Sequence, residues 1–548
     1  MKNRKPKLIM MFLVLILLLA AVLRFWDLSR YPAGLNADEA AIGYNAYSLL
    51  LTGRDEHGVS WPLHFKSFGD YKPGLYFYLV LPFVKLLGLN VLAVRLPSAL
   101  LGIFSVWLVF LLVKELFADE RLSLIAAFFL AISPWHLHFS RGGWEANAAT
   151  FLIILGTWLF FKGLKNPRFF ILAVLAYSLS FYTYHSARIV VPLLGLGLVF
   201  LYRDKLFKRK NYQAILMSGI MGLVILIPLL ISFLGPAGVS RFAGVGLIAD
   251  TGPLWRINEL RGQHATNMAL PVRLIHNRYL AYTIAFGKNW FDHFQGEFLF
   301  ISGDVIERNR VPETGQMYLF DIPLVVLGIY FLLKKRPENW LVLLLWLMVA
   351  PIPAAMTFQT PHALRSLSMV VPLVIVSAYG FYQGWLWLKD KVSQKLMRIA
   401  WALAIIILIW SVSGYLHQYY LHYPKTYPDA WEDGFDQLVS YVQTVGEKYE
   451  RIYVTDKYDQ PYILFLFYLQ YPPEKFQQEV RLTPRDRFGF STVRDFDKYH
   501  FEQIDFEALE KEENVLIIGT DEEIPDSTKI IKEIYFLNGK IAFRITEK

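Results

Sequence analysis

The 548-residue chain contains no cysteine, which excludes disulfides, thiol nucleophiles and thiolate metal sites. Charge is scarce as well. Asp, Glu, Lys and Arg make up 18% of the chain, against about 25% in a typical soluble domain. No internal repeat or low-complexity tract appears. What is abundant is apolar surface: 55% hydrophobic residues with a mean hydropathy of +0.35. Several apolar runs reach or approach the ~20 residues that cross a bilayer as a helix. Aromatics make up 16% of the chain, in keeping with rings placed at membrane interfaces and around sugars. The composition is that of a polytopic α-helical membrane protein.

A net charge of +9 invites a nucleic-acid reading. The positions argue against it, because Lys and Arg concentrate in short loops between apolar runs, the positive-inside pattern. Lys162/Lys165/Arg168, Arg203/Lys205/Lys208/Arg209/Lys210, Lys334/Lys335/Arg336 and Lys389/Lys391/Lys395/Arg398 are such loops. Placing them all in the cytoplasm requires about eleven spans, at 8–26, 96–117, 122–134, 145–162, 169–185, 188–202, 212–234, 318–333, 338–356, 366–388 and 397–416. The first reads as a retained signal-anchor with a cytoplasmic N-terminus, since no A-x-A-like site precedes Arg24. The expected location is the plasma membrane.

Pro73–Gly88 is apolar but short, with Pro82 and Lys85 inside it, and counting it as a twelfth span would invert every later loop. It reads as a juxtamembrane or re-entrant helix packed on protein. Two long loops, about 27–95 and 235–317, then lie outside. Residues 1–422 form the transmembrane region and 423–548 a small extracytoplasmic α/β domain. In the latter, Asp429–Tyr449 has helical apolar spacing, Arg451–Thr455 and Val515–Gly519 read as strands, and Asn538-Gly539 marks a hairpin.

The outer segments carry the candidate chemistry. Asp38 and Glu39 are adjacent carboxylates just beyond the first span, where repulsion and desolvation make such a pair costly. A solvated helix start, with acids at the positive end of the dipole, is the plain alternative. Lys72, in Phe68-Gly69-Asp70-Tyr71-Lys72-Pro73, is placed either to hold a lipid-linked phosphate or to snorkel. His136, His138, Arg141 and Glu145 fall in one short connection. No cofactor motif is present. A divalent metal is the one cofactor that His136-x-His138 with Glu145 would admit, though sugar or phosphate contact is the better reading. His185 with Arg188, and His362 with Arg365, add positive groups to the same outer face, against the topological bias. Several cations converging there point to an anion site, with lipid headgroup binding as the simpler alternative.

Taken together, these segments resemble the phospholipid-carrier-dependent glycosyltransferases of the GT-C fold, the group of the dolichyl-phosphate-mannose protein mannosyltransferases and the lipid A aminoarabinose transferases. The resemblance covers about residues 8–416. It rests on the Asp38-Glu39 pair, Lys72-Pro73, RLPSALLG (Arg95–Gly102), SPWHLHFSRGGWEAN and PHALR. It implies Asp38 as the acceptor-activating base, Lys72 near the donor phosphate, Glu145 as an acidic site position and Arg365 as a late-loop arginine on the donor. Glu39 joins the catalytic set, Arg188 the donor-phosphate set, and Asp70, His136, His138, Arg141, His185 and His362 the substrate-binding set. Tyr71 stands where aminoarabinose transferases have an acidic residue directly before the lysine, which argues against a metal site of that type.

The implied reaction transfers a hexose or pentose, with inversion, from a polyprenyl-phosphate donor to a protein, lipid or glycan hydroxyl. A flippase for a lipid-linked sugar would instead place charges near the midplane and break helices in matching halves. A ligase using a polyprenyl-diphosphate donor is the third reading.

Overall fold

The computed structural model describes residues 4–235, 246–266, 269–486 and 490–548. The expected outer loop 235–317 therefore falls in part, at 236–245 and 267–268, outside the described residues. The chain forms two compact units, one made of 1–20, 104–136 and 149–413, the other of 21–103, 137–148 and 414–548.

The first unit is helical. Among the described residues six helices are long and apolar enough to cross a membrane: Lys7–Phe25, Val91–Phe117, Glu145–Lys165, Arg209–Phe233, Leu367–Lys389 and Gln394–Thr426. Taking Glu120–Ile132 with Pro134–Arg141 as one bent span makes seven. Helices Phe169–Phe181, Ala187–Leu206, Asp321–Lys335 and Trp340–Val349 overlap the remaining apolar runs. Helices 321–335 and 370–389 cross at glycine. A Cβ on Gly380 would lie 1.9 Å from Leu324 O, and one on Gly328 2.2 Å from Val376 O, so the two backbones touch as only small residues allow.

Two sets of connections gather within this unit. In one, Lys165 pairs with Glu115, Lys114 with Glu120 at 2.6 Å, and Lys205 with Glu338 at 2.5 Å. In the other, Trp135 N donates to Gln316 O at 3.2 Å, Trp135 Nε1 to Ala363 O at 3.1 Å, and Asn289 Nδ2 to Thr357 O at 3.1 Å.

The second unit is mixed. Helix Ala37–Thr52 opens on Asn36, whose side chain accepts from Glu39 N at 3.1 Å, and closes on Gly53 at φ 69°. Both termini are thus satisfied locally. Strands β1 (His64–Ser67) and β2 (Asp70–Pro73) form an antiparallel hairpin. Its two-residue turn, Phe68 at φ 54° and Gly69 at φ 78°, has the left-handed backbone that matches strand twist. The segment 73–88 forms helix Leu75–Leu87, burying Tyr76, Phe77, Val80 and Val84.

In the C-terminal part lie β3 (Arg451–Thr455), β4 (Asp495–Phe496), β5 (Tyr499–Glu502), β6 (Val515–Gly519), β7 (Lys532–Tyr535) and β8 (Ile541–Glu547). They form one sheet in the order β4-β5-β3-β6-β8-β7, with β5, β3 and β6 parallel and the rest antiparallel. The β7–β8 turn spans 536–540, closed by Phe536 N on Lys540 O at 2.9 Å. The helix expected over 429–449 is divided: a short turn at Asp429–Trp431, then Phe435–Val445. Gly434, at φ 90°, separates them. Ala40, Tyr44, Phe65 and Phe77 share one hydrophobic core with Phe435, Phe467, Leu516 and Phe543. The 27–95 segment and the C-terminal residues are therefore one packed body.

Candidate active site

The Asp38-Glu39 pair divides its roles at the first turn of helix 37–52. Glu39 is fully buried and points at Arg95, also fully buried. Arg95 Nε donates to Glu39 Oε1 and Nη2 to Oε2, each at 2.9 Å. Gly143 N adds a bond to Oε1 at 2.7 Å, and Asn36 Nδ2 one to Oε2 at 3.1 Å. Four donors, two of them charged, offset the desolvation of this carboxylate. The remaining Arg95 hydrogens go to backbone carbonyls of the preceding loop: Leu28 at 3.2 Å, Pro32 at 2.9 Å and Gly34 at 2.7 Å. One ion pair thereby ties the 28–34 loop, the start of helix 37–52, the Val91–Phe117 helix and the Gly143 turn together.

Asp38 has a different environment. Its side chain is 35% exposed and forms an ion pair with Lys72, itself 10% exposed. The hairpin sets this meeting: Lys72 lies opposite Phe65 in β2, and its ammonium sits 5.0 Å from the centre of the Phe68 ring. Asp70 is buried, and its carboxylate accepts from Tyr71 N at 2.8 Å.

Within reach of the Lys72 charge lies a carboxyl the sequence reading left aside. Glu56 is fully buried; its Oε1 accepts from Asn45 Nδ2 at 3.2 Å, and its own N–H donates to Asn45 Oδ1 at 3.0 Å. Burial pushes this carboxyl up to about 8, opposed by the Asn45 hydrogen bond, raised further by Asp55 and opposed again by the Lys72 charge. Next to it, burial holds the His57 imidazole down at about 4.

Arg141 is buried too. Its guanidinium donates to the carbonyls of Leu23 and Trp26 at 2.8 Å, and of Arg24 and Tyr31 at 3.2 Å. It also lies 5.3 Å from the ring centres of Tyr419 and Tyr420. This geometry fits a scaffold for the 23–31 backbone. His138 is enclosed by aromatic rings, with Tyr419, Tyr423 and Trp431 at 6.2, 5.7 and 6.5 Å. Glu145 starts its helix, and its charge acts with that of Glu39 on the Tyr76 hydroxyl, which donates to Val94 O at 3.1 Å.

The other candidates lie in the first unit. His136 is buried. His185 falls in the turn before helix 187–206 rather than inside a helix, because the chain turns at Tyr182–Ser186. Even so, Arg188 Nη1 reaches His185 Nδ1 at 3.0 Å. Arg188 also donates to Phe181 O at 3.1 Å.

Arg365 stands half-buried, its Nη1 on Thr357 Oγ1 at 2.7 Å. The loop carrying it is pinned by a polar cluster. Asp304 accepts from Ala363 N at 2.6 Å, Ile306 N at 2.9 Å and Asn309 Nδ2 at 3.1 Å. His362 Nδ1 is 3.6 Å from Asp304, and His293 Nε2 accepts from His362 N at 3.1 Å. His293 Nδ1 meets Asn289 O at 2.8 Å, so its hydrogen is on Nδ1 and the ring is neutral. Burial pushes the Asp304 carboxyl up to about 6, against three hydrogen bonds and the Arg365 charge. Among the described residues no three His, Asp or Glu side chains group as metal ligands.

Three comparisons bear on this arrangement. Residues 71–231 match the model of the dolichyl-phosphate-mannose-protein mannosyltransferases. That stretch includes Lys72, Arg95, Arg141, Glu145 and Arg188; Asp38 precedes it and Arg365 follows it. An uncharacterized protein of Aquifex aeolicus is 27% identical over 211 residues, 37% of this chain and 41% of its own length. The match thus spans less than half of that relative.

Among solved structures, ArnT from Cupriavidus metallidurans bound to undecaprenyl phosphate is 13% identical, with 97% of each chain covered and a TM-score of 0.55. The Archaeoglobus fulgidus oligosaccharyltransferase tethered to an acceptor peptide is also 13% identical, covering 85% of this chain and 64% of its own, at a TM-score of 0.54. The chain is thus a polytopic helical membrane protein with the architecture of these transferases. Its fold is that of these two solved structures, and the family model's match to residues 71–231 agrees with the resemblance read from the sequence.

Proposed function

We propose that this protein is a membrane glycosyltransferase. It moves a hexosyl or pentosyl group from a polyprenyl-phosphate donor to an acceptor hydroxyl on the non-cytoplasmic face, with inversion. The observation that carries this reading is the unequal fate of two adjacent carboxylates. Glu39 is sealed on Arg95, whereas Asp38 is part-exposed and held by Lys72. A part-exposed carboxylate beside a cation is the minimum that the chemistry requires.

In the reaction, Lys72 turns from Asp38 to the donor phosphate. The Asp38 carboxylate takes the proton of the acceptor hydroxyl as its oxygen attacks the anomeric carbon. The bond from that carbon to the phosphate oxygen breaks, and the polyprenyl phosphate leaves with the electron pair, neutralised by Lys72. Arg365 is a second cation for the donor, held on its loop by the Asp304–His362 cluster. Arg188 belongs with it as a further donor contact, whereas Arg141 and His138 act on the scaffold.

The eleven-span topology belongs to the same proposal. Each of the eleven apolar segments is helical. Connections assigned to the cytoplasm meet one another through Lys165–Glu115 and Lys205–Glu338, while those assigned outside meet through Trp135, Ala363, Asn289 and Thr357. The shared core of 27–95 with the C-terminal sheet supports a C-terminal region on the outer side.

Mass spectrometry of membrane lipids and surface glycoproteins, from cells with and without the protein, tests the activity. The expected result is one glycan or lipid species lacking a single sugar when the protein is absent. Identical profiles, with no accumulation of a polyprenyl-phosphate sugar, would contradict it.

A further inference from the structure

Glu56 sits in the Asp55–Gly58 turn that follows helix 37–52. Asn45, which clamps it, is seven residues after Asp38, two helical turns along the same face. The clamp is reciprocal and uses only Oε1 and the backbone N–H. Glu56 Oε2 is enclosed and receives no hydrogen bond among the described residues. A fully buried carboxyl with one oxygen unpartnered is costly as an anion and tolerable as a neutral acid.

The groups around it are few. Tyr44 from helix 37–52 and Tyr462 from helix 461–469 are pushed upward by burial and remain neutral. His57, 3.7 Å away, is held neutral as well. Asp55 adds negative charge from the same turn, and Lys72 is the cation from β2 whose charge reaches Glu56. Lys66 acts one step out, on Asp55 and His57.

We infer that Glu56 is a positioning residue that sets the charge of the donor-phosphate site through Lys72. As a neutral acid it leaves Lys72 to be shared between Asp38 and an anionic lipid phosphate; as a carboxylate it draws Lys72 back. With Glu56 protonated, the trio Asp38, Lys72 and Glu56 is neutral overall. Once Glu56 ionises the trio carries one negative charge, and an approaching phosphate meets repulsion as well as a weaker cation. Neither a snorkelling lysine nor a merely structural acid would produce this coupling. The inference rests on the reading that Lys72 meets the donor phosphate.

The test uses the full chain in nanodiscs, with undecaprenyl phosphate as the probe. Its affinity is measured from pH 7 to 9.5 for wild type, Glu56→Gln, Asn45→Ala and Lys72→Ala. Wild type should lose affinity by about tenfold or more across this range, as expected for one added charge in a partly buried site. Glu56→Gln, a fixed copy of the neutral form, should lack that fall. Asn45→Ala removes the hydrogen bond that favours the ionised form and should shift the fall to higher pH.

A second readout needs no ligand: the rate at which an amine reagent labels Lys72, followed by mass spectrometry. Above about pH 8, Lys72 should label more slowly in wild type than in Glu56→Gln. Matching pH dependences in wild type and Glu56→Gln, for both affinity and labelling, overturn the inference. Undiminished probe binding by Lys72→Ala overturns instead the underlying assignment of Lys72 to the phosphate.

Discussion

Replacing Arg95 with methionine tests how the Asp38–Glu39 pair is built. Methionine matches the length of the arginine stem but donates nothing. Glu39 would lose two charge-assisted bonds of 2.9 Å and keep only Gly143 N and Asn36 Nδ2. The carbonyls of Leu28, Pro32 and Gly34 would lose their donors as well. Stranding one member of a buried pair costs about 3–5 kcal/mol. For a folding unit of this size that lowers the apparent melting temperature by roughly 10 °C.

Glu39→Gln keeps the shape and half the accepting capacity. It should cost about 1–3 kcal/mol, the penalty of leaving buried donors without an acceptor. Replacing both, Glu39→Leu with Arg95→Met, removes the stranded charge and should melt above Arg95→Met alone. The assay is thermal unfolding in detergent followed by size-exclusion fluorescence, with sugar transfer measured on the same samples. Activity should fall in step with stability in all three. A Glu39→Gln protein that melts like wild type yet has lost turnover by orders of magnitude would refute this assignment and return Glu39 to the chemistry.

Other expectations follow from the same geometry. Lys72→Ala and Arg365→Ala should each weaken donor use by about 2–5 kcal/mol in kcat/KM, and equal donor affinity and turnover in Lys72→Ala would reduce that lysine to a membrane anchor. A C-terminal alkaline-phosphatase fusion should be active in cells; an inactive fusion with an active cytoplasmic reporter at the same site would reverse the topology. Asp304 has its carboxyl raised from 3.8 to about 6, so the folded state holds a proton that the unfolded chain releases first. Its contribution is complete below pH ~4 and declines as pH rises through about 6, by roughly 3 kcal/mol. The stability advantage of wild type over Asp304→Asn should therefore shrink from pH 4 to 6 and then level off. A constant difference across that range would show that Asp304 does not titrate there.

The sequence made part of this site legible. Asp38-Glu39 stood out because two adjacent acids beside a membrane span are expensive, and Lys72 because a lysine at the interface beside an aromatic run is placed either to hold a lipid-linked phosphate or to snorkel. That Asp38 and Lys72 meet was not legible, since their contact depends on a hairpin turn at Phe68-Gly69 with two left-handed residues in succession. Asn36 was within reach, because an Asn three residues before a Glu is a capping signal. Arg95 as the partner of Glu39 was not, being 56 residues away with no local pattern to mark it.

Glu56 was missed for a physical reason. Asp55-Glu56-His57 looks like a solvated polar turn, and it is the tertiary fold that buries Glu56, with Asn45 clamping it. The Arg451–Thr455 and Val515–Gly519 strands were readable from their β-prone runs, but their parallel pairing is a long-range event. Helix Pro461–Leu469, with every residue from Pro461 to Phe467 buried, carries no amphipathic period to announce it.

The central claim is that Asp38 is the base of a sugar transfer. It is tested most directly by single-turnover transfer from a polyprenyl-phosphate sugar, in nanodiscs, with wild-type and Asp38→Asn proteins of equal fold and equal donor binding. Asparagine keeps the shape and removes the basicity, and loss of general-base help is worth about 10²–10⁴-fold. The account predicts a fall in the transfer rate of at least that size with donor binding retained; a near-normal rate in Asp38→Asn would contradict it.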